Sequence, residues 1–172
     1  FEHLILRGMT PVAERAKPRG KLYSAYAKGG PELAINTLNK NFGLDISEYA
    51  TVNFAGMMDI IDAVGGIEVT LIEDEVAPIG KFSRGLNDTA YEACKLLGKD
   101  PKDYYITEPG THTLNGLQAV AYSRIRYVKN VWGTNNDYGR TDRQRFVMEQ
   151  LFNKAKTLSK DQYLDLVKAL VP

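Results

Sequence analysis

LNGLQAVAYSRIRYVKNVWGTNNDYGRTDRQRFVMEQLF, residues 114–152, carries five of the chain's nine arginines: Arg124, Arg126, Arg140, Arg143 and Arg145. Its second half has a helical period, because Val147, Leu151 and Lys154 to Ala155 continue one side at i, i+4, i+7 and i+8. Carried towards the N-terminus, that side meets Arg143, Gln144 and Arg140. The face that should be core therefore begins as guanidinium, which is costly unless an anion or a carboxylate satisfies it. Asp137 can hold one guanidinium but not four. The open N-terminus of the same helix adds N–H donors and a dipole that favours negative charge. The stretch predicts a site for a phosphate-rich ligand, half buried against the body of the domain. Arg124 and Arg126 precede a loop and are expected to point with Arg140 and Arg143 at one place, and arginine suits bidentate phosphate contacts better than lysine does.

These residues also carry a resemblance. LNGLQAVAYSRIRY followed by DYGRTDRQRFV resembles the signature of the LytR-CpsA-Psr family of cell-wall polymer ligases, roughly LNG-x-QAL-x-Y-x-R-x-R and then D-x-x-R-x-x-R-Q. Asp137, Arg140, Arg143 and Gln144 fill the second part residue for residue. KLYSAYAKGG at 21–30 is similar to the family's K-x-N-x-AYA-x-GG, and FAGMMDIIDAVGGIEV at 54–69 is similar to FxGF-x-x-x-I-D-x-x-GG-[IV]-x-V. The resemblance implies a three-layer α-β-α domain with a central mixed sheet. It implies a phosphotransferase that takes a glycopolymer, of teichoic acid or capsular type, from polyprenyl diphosphate. The polymer is attached as a phosphodiester to a hydroxyl of peptidoglycan, at the extracellular face of a bacterial membrane. Catalytic arginines would be Arg7, Arg124, Arg126, Arg140 and Arg143, with Asp137 and Gln144 supporting the diphosphate. The lipid would lie in an apolar tunnel, for which Met57, Ile61, Val120, Val147 and Leu151 are candidate tunnel or core positions. Magnesium is expected for the family, but no ligands for it are identified in this chain. Arg7 is the counterpart of the arginine in the family's R-D-T-like turn, and Gly8 stands where the aspartate would be.

Length and composition bound the alternatives. At 172 residues the chain suggests one domain, 1–172, with room for a sizeable core. Net charge is +1, so the positive charge is local and no global basic field for nucleic acid exists. Cys94 stands alone and can form no intrachain disulfide. No apolar run approaches the length of a membrane span. The chain starts at Phe1 without a methionine. It is read as an N-terminally trimmed piece, with a membrane anchor and the first strands expected ahead of it.

Taken in order, EHLILR at 2–7 reads as a strand ending in Arg7, and 8–20 as a loop. Residues 21–30 read as a short helical turn closed by Gly29-Gly30, with Tyr23 and Tyr26 as pocket or core aromatics. Pro31 opens a helix carrying Leu33, Ile35, Leu38 and Phe42, which Gly43 stops. YATVNF at 49–54 reads as a central strand, 55–64 as a helix with Asp59 and Asp62 on its solvent side, and IEVTL at 67–71 as the next strand. Strand, helix and strand suggest parallel pairing by a right-handed crossover. In the irregular 72–110 segment, Asn87 or Asp88 is expected to cap a helix running to Leu97. Ala90, Ala93, Leu96 and Leu97 would face inward, Cys94 would be buried, and Gly98 would end the helix. His112 reads as a hydrogen-bonding turn residue. Ser159 or Asp161 would cap a last helix through Leu170.

No P-loop, nucleophile elbow, C-x-x-C pair or H-E-x-x-H motif occurs, so covalent catalysis by a side chain is not expected. What remains is an arginine clamp, which positions a phosphate ester and neutralises the leaving oxygens. With Gly8 in place of an acid, the chain is expected to bind polyprenyl diphosphates but transfer slowly, with weak dependence on magnesium. Two other readings stay open. One is a polyprenyl-phosphate binding module with little turnover. The other is a nucleic-acid-binding domain that stacks bases on Tyr127, Trp132 and Tyr138, against which the near-neutral total charge counts.

Overall fold

A computed structural model of the protein describes residues 22–49, 51–80, 84–161 and 163–164. The elements in chain order are helix α1 (Leu22–Phe42), helix α2 (Phe54–Ala63), strand β1 (Ile67–Leu71), helix α3 (Leu86–Leu97), a 3-10 turn (Pro101–Tyr104), strand β2 (Gly110–Leu114), helix α4 (Gly116–Arg124) and helix α5 (Asn136–Lys156). The chain divides into two compact units, Phe1–Val52 and Asn53–Pro172. The strand and loop read for residues 2–20, with Arg7 and Gly8, lie outside the described residues.

In the first unit, α1 is two helices joined at a kink. Gly29 and Gly30 leave the helical region, and Pro31 opens the second half. Asn39 then pins the chain beyond the helix end: its Nδ2 donates to the Ile46 carbonyl at 2.9 Å, and its Oδ1 accepts from the Ile46 N–H at 3.0 Å. Tyr23 and Tyr26 are exposed, so neither is a core aromatic.

The second unit is built around α4. Gly116, Leu117, Ala119, Val120, Ala121 and Tyr122 are all buried. These residues cover most of its surface, and α4 packs against α2, α3 and α5. Its start is fixed twice over. Asn115 and Gln118 form a reciprocal capping box, and Asp62 on α2 accepts the Gly116 N–H at 2.6 Å. Only glycine fits at 116, because a Cβ there would collide with the Met58 carbonyl. Asp59 and Asp62 are solvent-side as expected, and Asp62 serves as a second cap.

The α/β class holds, with a different strand partner from the one expected. Among the described residues the sheet has two strands, β1 and β2, paired antiparallel with Ile67 opposite Leu114 and Leu71 opposite Gly110. Ile67, Val69 and Leu71 face the core while Glu68 and Thr70 face out. The described residues of the 49–54 run form no strand: 49 and 51–53 are irregular, and Phe54 opens α2. The cause is local. Asn53 Oδ1 accepts the Gly56 N–H at 2.7 Å, and this cap starts a helix where propensity alone favours β structure. His112 sits in β2 rather than a turn, and its Nε2 meets the Glu108 carbonyl at 2.9 Å.

α3 begins one residue earlier than its expected caps. Gly85 holds the N-cap position. Asn87 is buried and bonds instead to Ile106, donating to its carbonyl at 2.8 Å and accepting its N–H at 3.0 Å. Asp88 accepts from the Gly80 N–H at 3.2 Å. Ala90, Ala93 and Cys94 are buried, but Leu96 and Leu97 are exposed, so the inward face is narrower than the apolar pattern suggests. At the C-terminal end a helical turn runs past Ser159, with Tyr163 and Leu164 exposed; the rest of the expected last helix lies outside the described residues.

Candidate functional site

The site residues hang on the loop between α4 and α5. Helix α4 stops at Arg124 because Ile125 is extended, with φ −58° and ψ 132°. The following loop closes on buried Asn130, whose Oδ1 accepts from the N–H groups of Trp132 at 3.1 Å and Thr134 at 3.0 Å. The Thr134 hydroxyl lies 2.6 Å from Asp142 Oδ2 on α5. A Cβ at Gly139 would stand 2.8 Å from the Thr134 carbonyl, so the loop packs onto α5 only because that position is glycine. Loop and helix are therefore joined beside Arg126.

Arg126 and Arg140 meet at Asp137. Asp137 Oδ1 takes Arg126 Nε at 2.7 Å, Arg126 Nη2 at 2.6 Å and Arg140 Nη2 at 3.1 Å. The side chains stay partly open: 42% exposed for Arg126, 37% for Arg140 and 63% for Asp137. Two guanidiniums against one carboxylate leave a net positive site, and donors remain unused on both arginines. The cluster lies in the first turns of α5, whose N-cap residue Asn135 makes no side-chain cap bond. Uncapped N–H groups and the helix dipole add to its attraction for an anion. The Arg126 hydrogen bond holds the Asp137 carboxyl below the usual aspartate range, and Asp137 in turn raises Arg126.

Arg143 is elsewhere. It is fully buried and paired with fully buried Glu75. Nε and Nη2 both donate to Glu75 Oε1, at 2.9 and 2.7 Å. Nη1 donates to the Ile125 carbonyl at 3.2 Å; Nη2 has one N–H beyond that given to Glu75, shared between the Val128 and Lys129 carbonyls at 3.0 and 3.1 Å. Burial pushes the Glu75 carboxyl up, against the pull of the Arg143 donors and of the Ile72 N–H. So the arginine on the core stripe is answered by a protein carboxylate and by backbone, not by a ligand.

Of the four arginines expected to converge, the structure brings together Arg126 and Arg140. Arg124 is exposed and its guanidinium lies over the Phe54 ring, 5.3 Å from the centroid. Gln144 is one residue on from Arg143, about 100° around the helix. It is exposed, in a shallow groove with Met148 and Phe152 on the outer face of α5. Ile61, Val120, Val147 and Leu151 belong to the buried core, with Met57 partly buried against it. A cleft of about 280 Å³ lies beside α2 and α4, lined by Met58, Asp62, Tyr104 and Leu117 among others, and includes none of the five. Sequence reading missed Glu75. It lies 68 residues from Arg143, within the acidic run IEDEV, where no periodicity marks one acid as buried. Arg84 was missed too; it lies 5.4 Å from the centre of the Tyr127 ring.

Among the described residues no group of three or more His, Cys, Asp or Glu stands together. The carboxylate at the cluster, Asp137, is already engaged by two guanidiniums.

The LytR_cpsA_psr family matches residues 7–171. Biofilm regulatory protein A of Streptococcus mutans is 34% identical over 151 residues, covering 87% of this chain and 32% of that protein. The polyisoprenyl-teichoic acid–peptidoglycan teichoic acid transferase TagU of Enterococcus faecalis is also 34% identical over 151 residues, covering 87% of this chain and 40% of that protein. The crystal structure of protein gbs0355 from Streptococcus agalactiae superposes with a TM-score of 0.63 at 31% identity, over 88% of this chain and 44% of that one. The chain thus spans between 32% and 44% of the length of these relatives. With the family matched over nearly all its length, this chain belongs to the LytR_cpsA_psr family.

Proposed function

We propose that this chain carries the arginine part of a phosphotransferase that moves a glycopolymer from polyprenyl diphosphate to peptidoglycan. The observation that carries the reading is the meeting of Arg126 and Arg140 on one oxygen of Asp137 at the uncapped start of α5. The Enterococcus relative supports it by its name, a transferase of polyisoprenyl-linked teichoic acid to peptidoglycan.

The chemistry follows from the donor set. A diphosphate entering the cluster takes the guanidinium N–H groups that Asp137 leaves unused. Asp137 keeps both arginines aimed at one point before the ligand arrives, so little ordering cost remains on binding. An acceptor hydroxyl then attacks the phosphorus nearer the glycan. A new P–O bond forms, the anhydride bond breaks, the hydroxyl's proton passes to the departing phosphate, and polyprenyl monophosphate leaves. The arginines neutralise the charge that builds on the departing phosphate. Asp137 is a poor proton acceptor, since its carboxyl is held low. Its role is to orient charge. A lipid-linked donor and a peptidoglycan acceptor meet at the outer face of the cell membrane, which is where we place the protein. Among the described residues no helix is long and apolar enough to cross a membrane. Magnesium remains an expectation of the family.

The test is a transfer assay with a lipid-diphosphate glycan and peptidoglycan, following polyprenyl monophosphate release, with and without EDTA. Release should occur with the parent chain and fall by about tenfold or more in Arg126→Ala/Arg140→Ala, the scale of losing charged hydrogen bonds. Equal release by a folded double variant would overturn the assignment.

A further inference from the structure

We propose that Glu75 and Arg143 are a buried positioning pair that sets where Arg126 stands relative to Arg140, making Glu75 part of the diphosphate machinery without touching the ligand. The inference rests on the Arg126–Arg140 reading above.

Three carbonyls carry the argument. Arg143 holds those of Ile125, Val128 and Lys129, the residue just before Arg126 and two residues shortly after it. The backbone is thus gripped on both sides of Arg126 by a side chain that starts one turn along α5 from Arg140. Arg126 comes from the loop, and Arg140 and Asp137 come from the helix. Arg143 ties the 125–129 end of the loop to the helix beneath them, as Thr134 ties its other end through Asp142.

Glu75 gives that grip its direction. It lies between β1 and α3, and it takes Arg143 Nε and Nη2 on Oε1 while Oε2 takes the Ile72 N–H at 3.1 Å. With the carboxylate fixed to its own turn, the plane of the guanidinium is fixed too. The Tyr122 ring, 5.5 Å from the guanidinium carbon, lies against the same group. Only a planar fork of donors can serve a carboxylate and three separate carbonyls at once; an ammonium offers three donors from one point.

Stability alone does not call for this pair. Buried ion pairs are often replaceable by apolar residues of similar volume without loss of fold. What an apolar pair cannot do is hold three carbonyls. Replacing the pair should therefore leave the domain folded and let the 125–129 backbone drift, carrying Arg126 away from Asp137.

The experiment compares the parent chain with Glu75→Leu/Arg143→Met and with Arg143→Lys. Arg143→Lys keeps the charge opposite Glu75 but not the fork. Three readings are taken: the melting temperature, the affinity for inorganic pyrophosphate, and the Asp137 carboxyl titration by NMR. The last reports directly whether Arg126 still sits on Asp137. In folded variants, pyrophosphate affinity should fall by roughly tenfold, the scale of one charged hydrogen bond. The Asp137 midpoint should rise towards the ordinary aspartate value. If the apolar double variant does not fold, Arg143→Lys decides by the same readings. A folded variant with both the Asp137 midpoint and the pyrophosphate affinity unchanged overturns the inference. Arg126→Ala/Arg140→Ala is the control. If that variant binds pyrophosphate as the parent does, the cluster itself is misassigned. If it loses binding while the Glu75 and Arg143 variants keep it, only the positioning role fails.

Discussion

Arg143 shows how far a single residue can be read. Its place on a core-facing stripe is legible in the spacing to Val147 and Leu151, and so is its need for an anion. The anion's identity is not, because Glu75 comes from a distant irregular segment. The consequence is measurable. Arg143→Ala leaves a buried carboxylate without its partner and should cost about 3–5 kcal/mol by urea unfolding. Gln144→Ala, one residue on and exposed, should stay within about 0.5 kcal/mol of the parent.

Asp137 gives the pH behaviour of the cluster at the same scale. Its folded carboxyl is lowered by Arg126 first and also by Arg140. A lowered value means that its contribution is complete above the ordinary aspartate pKa and is lost as pH falls through the lowered one. The cluster should therefore be insensitive to pH near neutrality and dissolve only under acid. An NMR titration should place Asp137 below the ordinary value, and Arg126→Ala should move it back up. A normal midpoint in the parent chain would mean that the two side chains do not meet in solution. Cys94 shifts for a different reason: burial in α3 pushes its thiol up. It should resist a thiol reagent at neutral pH in the folded chain and react at once in denaturant.

Among the elements, the helices were the more legible part. The Val147 and Leu151 period marks α5 as a helix, and Gly29, Gly30 and Pro31 mark the kink in α1. The strand misread at 49–54 is a case of a local cap defeating propensity, since Asn53 could be recognised as a cap only once α2 was known to begin at Phe54. The antiparallel partner of β1 was not legible either, because 110–114 follows a long irregular segment whose course depends on Asn87 and its bonds to Ile106. Helix α4 is the element most exposed to a small change. Gly116→Ala would drive a methyl into the Met58 backbone and should cost about 1–3 kcal/mol, the range for overpacking. Asn115→Ala, which removes half of the capping box, should cost about 1 kcal/mol. Thermal unfolding of the two variants should rank them in that order, and a neutral Gly116→Ala would show that α2 and α4 are further apart than described.

For the molecule as a whole, the near-neutral net charge and the local run of arginines already set a phosphate ligand ahead of a nucleic-acid surface, and the family match agrees with the motifs. What spacing could not give is the partition of the arginines. Similar residues within twenty positions separate into an exposed pair on Asp137, one buried strut and one ring contact, because the chain turns out of helix at Ile125 and back into it at Asn136. The most direct measurement of the central claim is calorimetric titration of the chain with farnesyl diphosphate, with single-stranded DNA as the counter-ligand. The expected result is saturable binding of the lipid diphosphate, weakened by about tenfold or more in Arg126→Ala/Arg140→Ala at an unchanged melting temperature, and no comparable binding of DNA. Undiminished affinity in the folded double variant, or tighter binding of DNA than of the diphosphate, would contradict it.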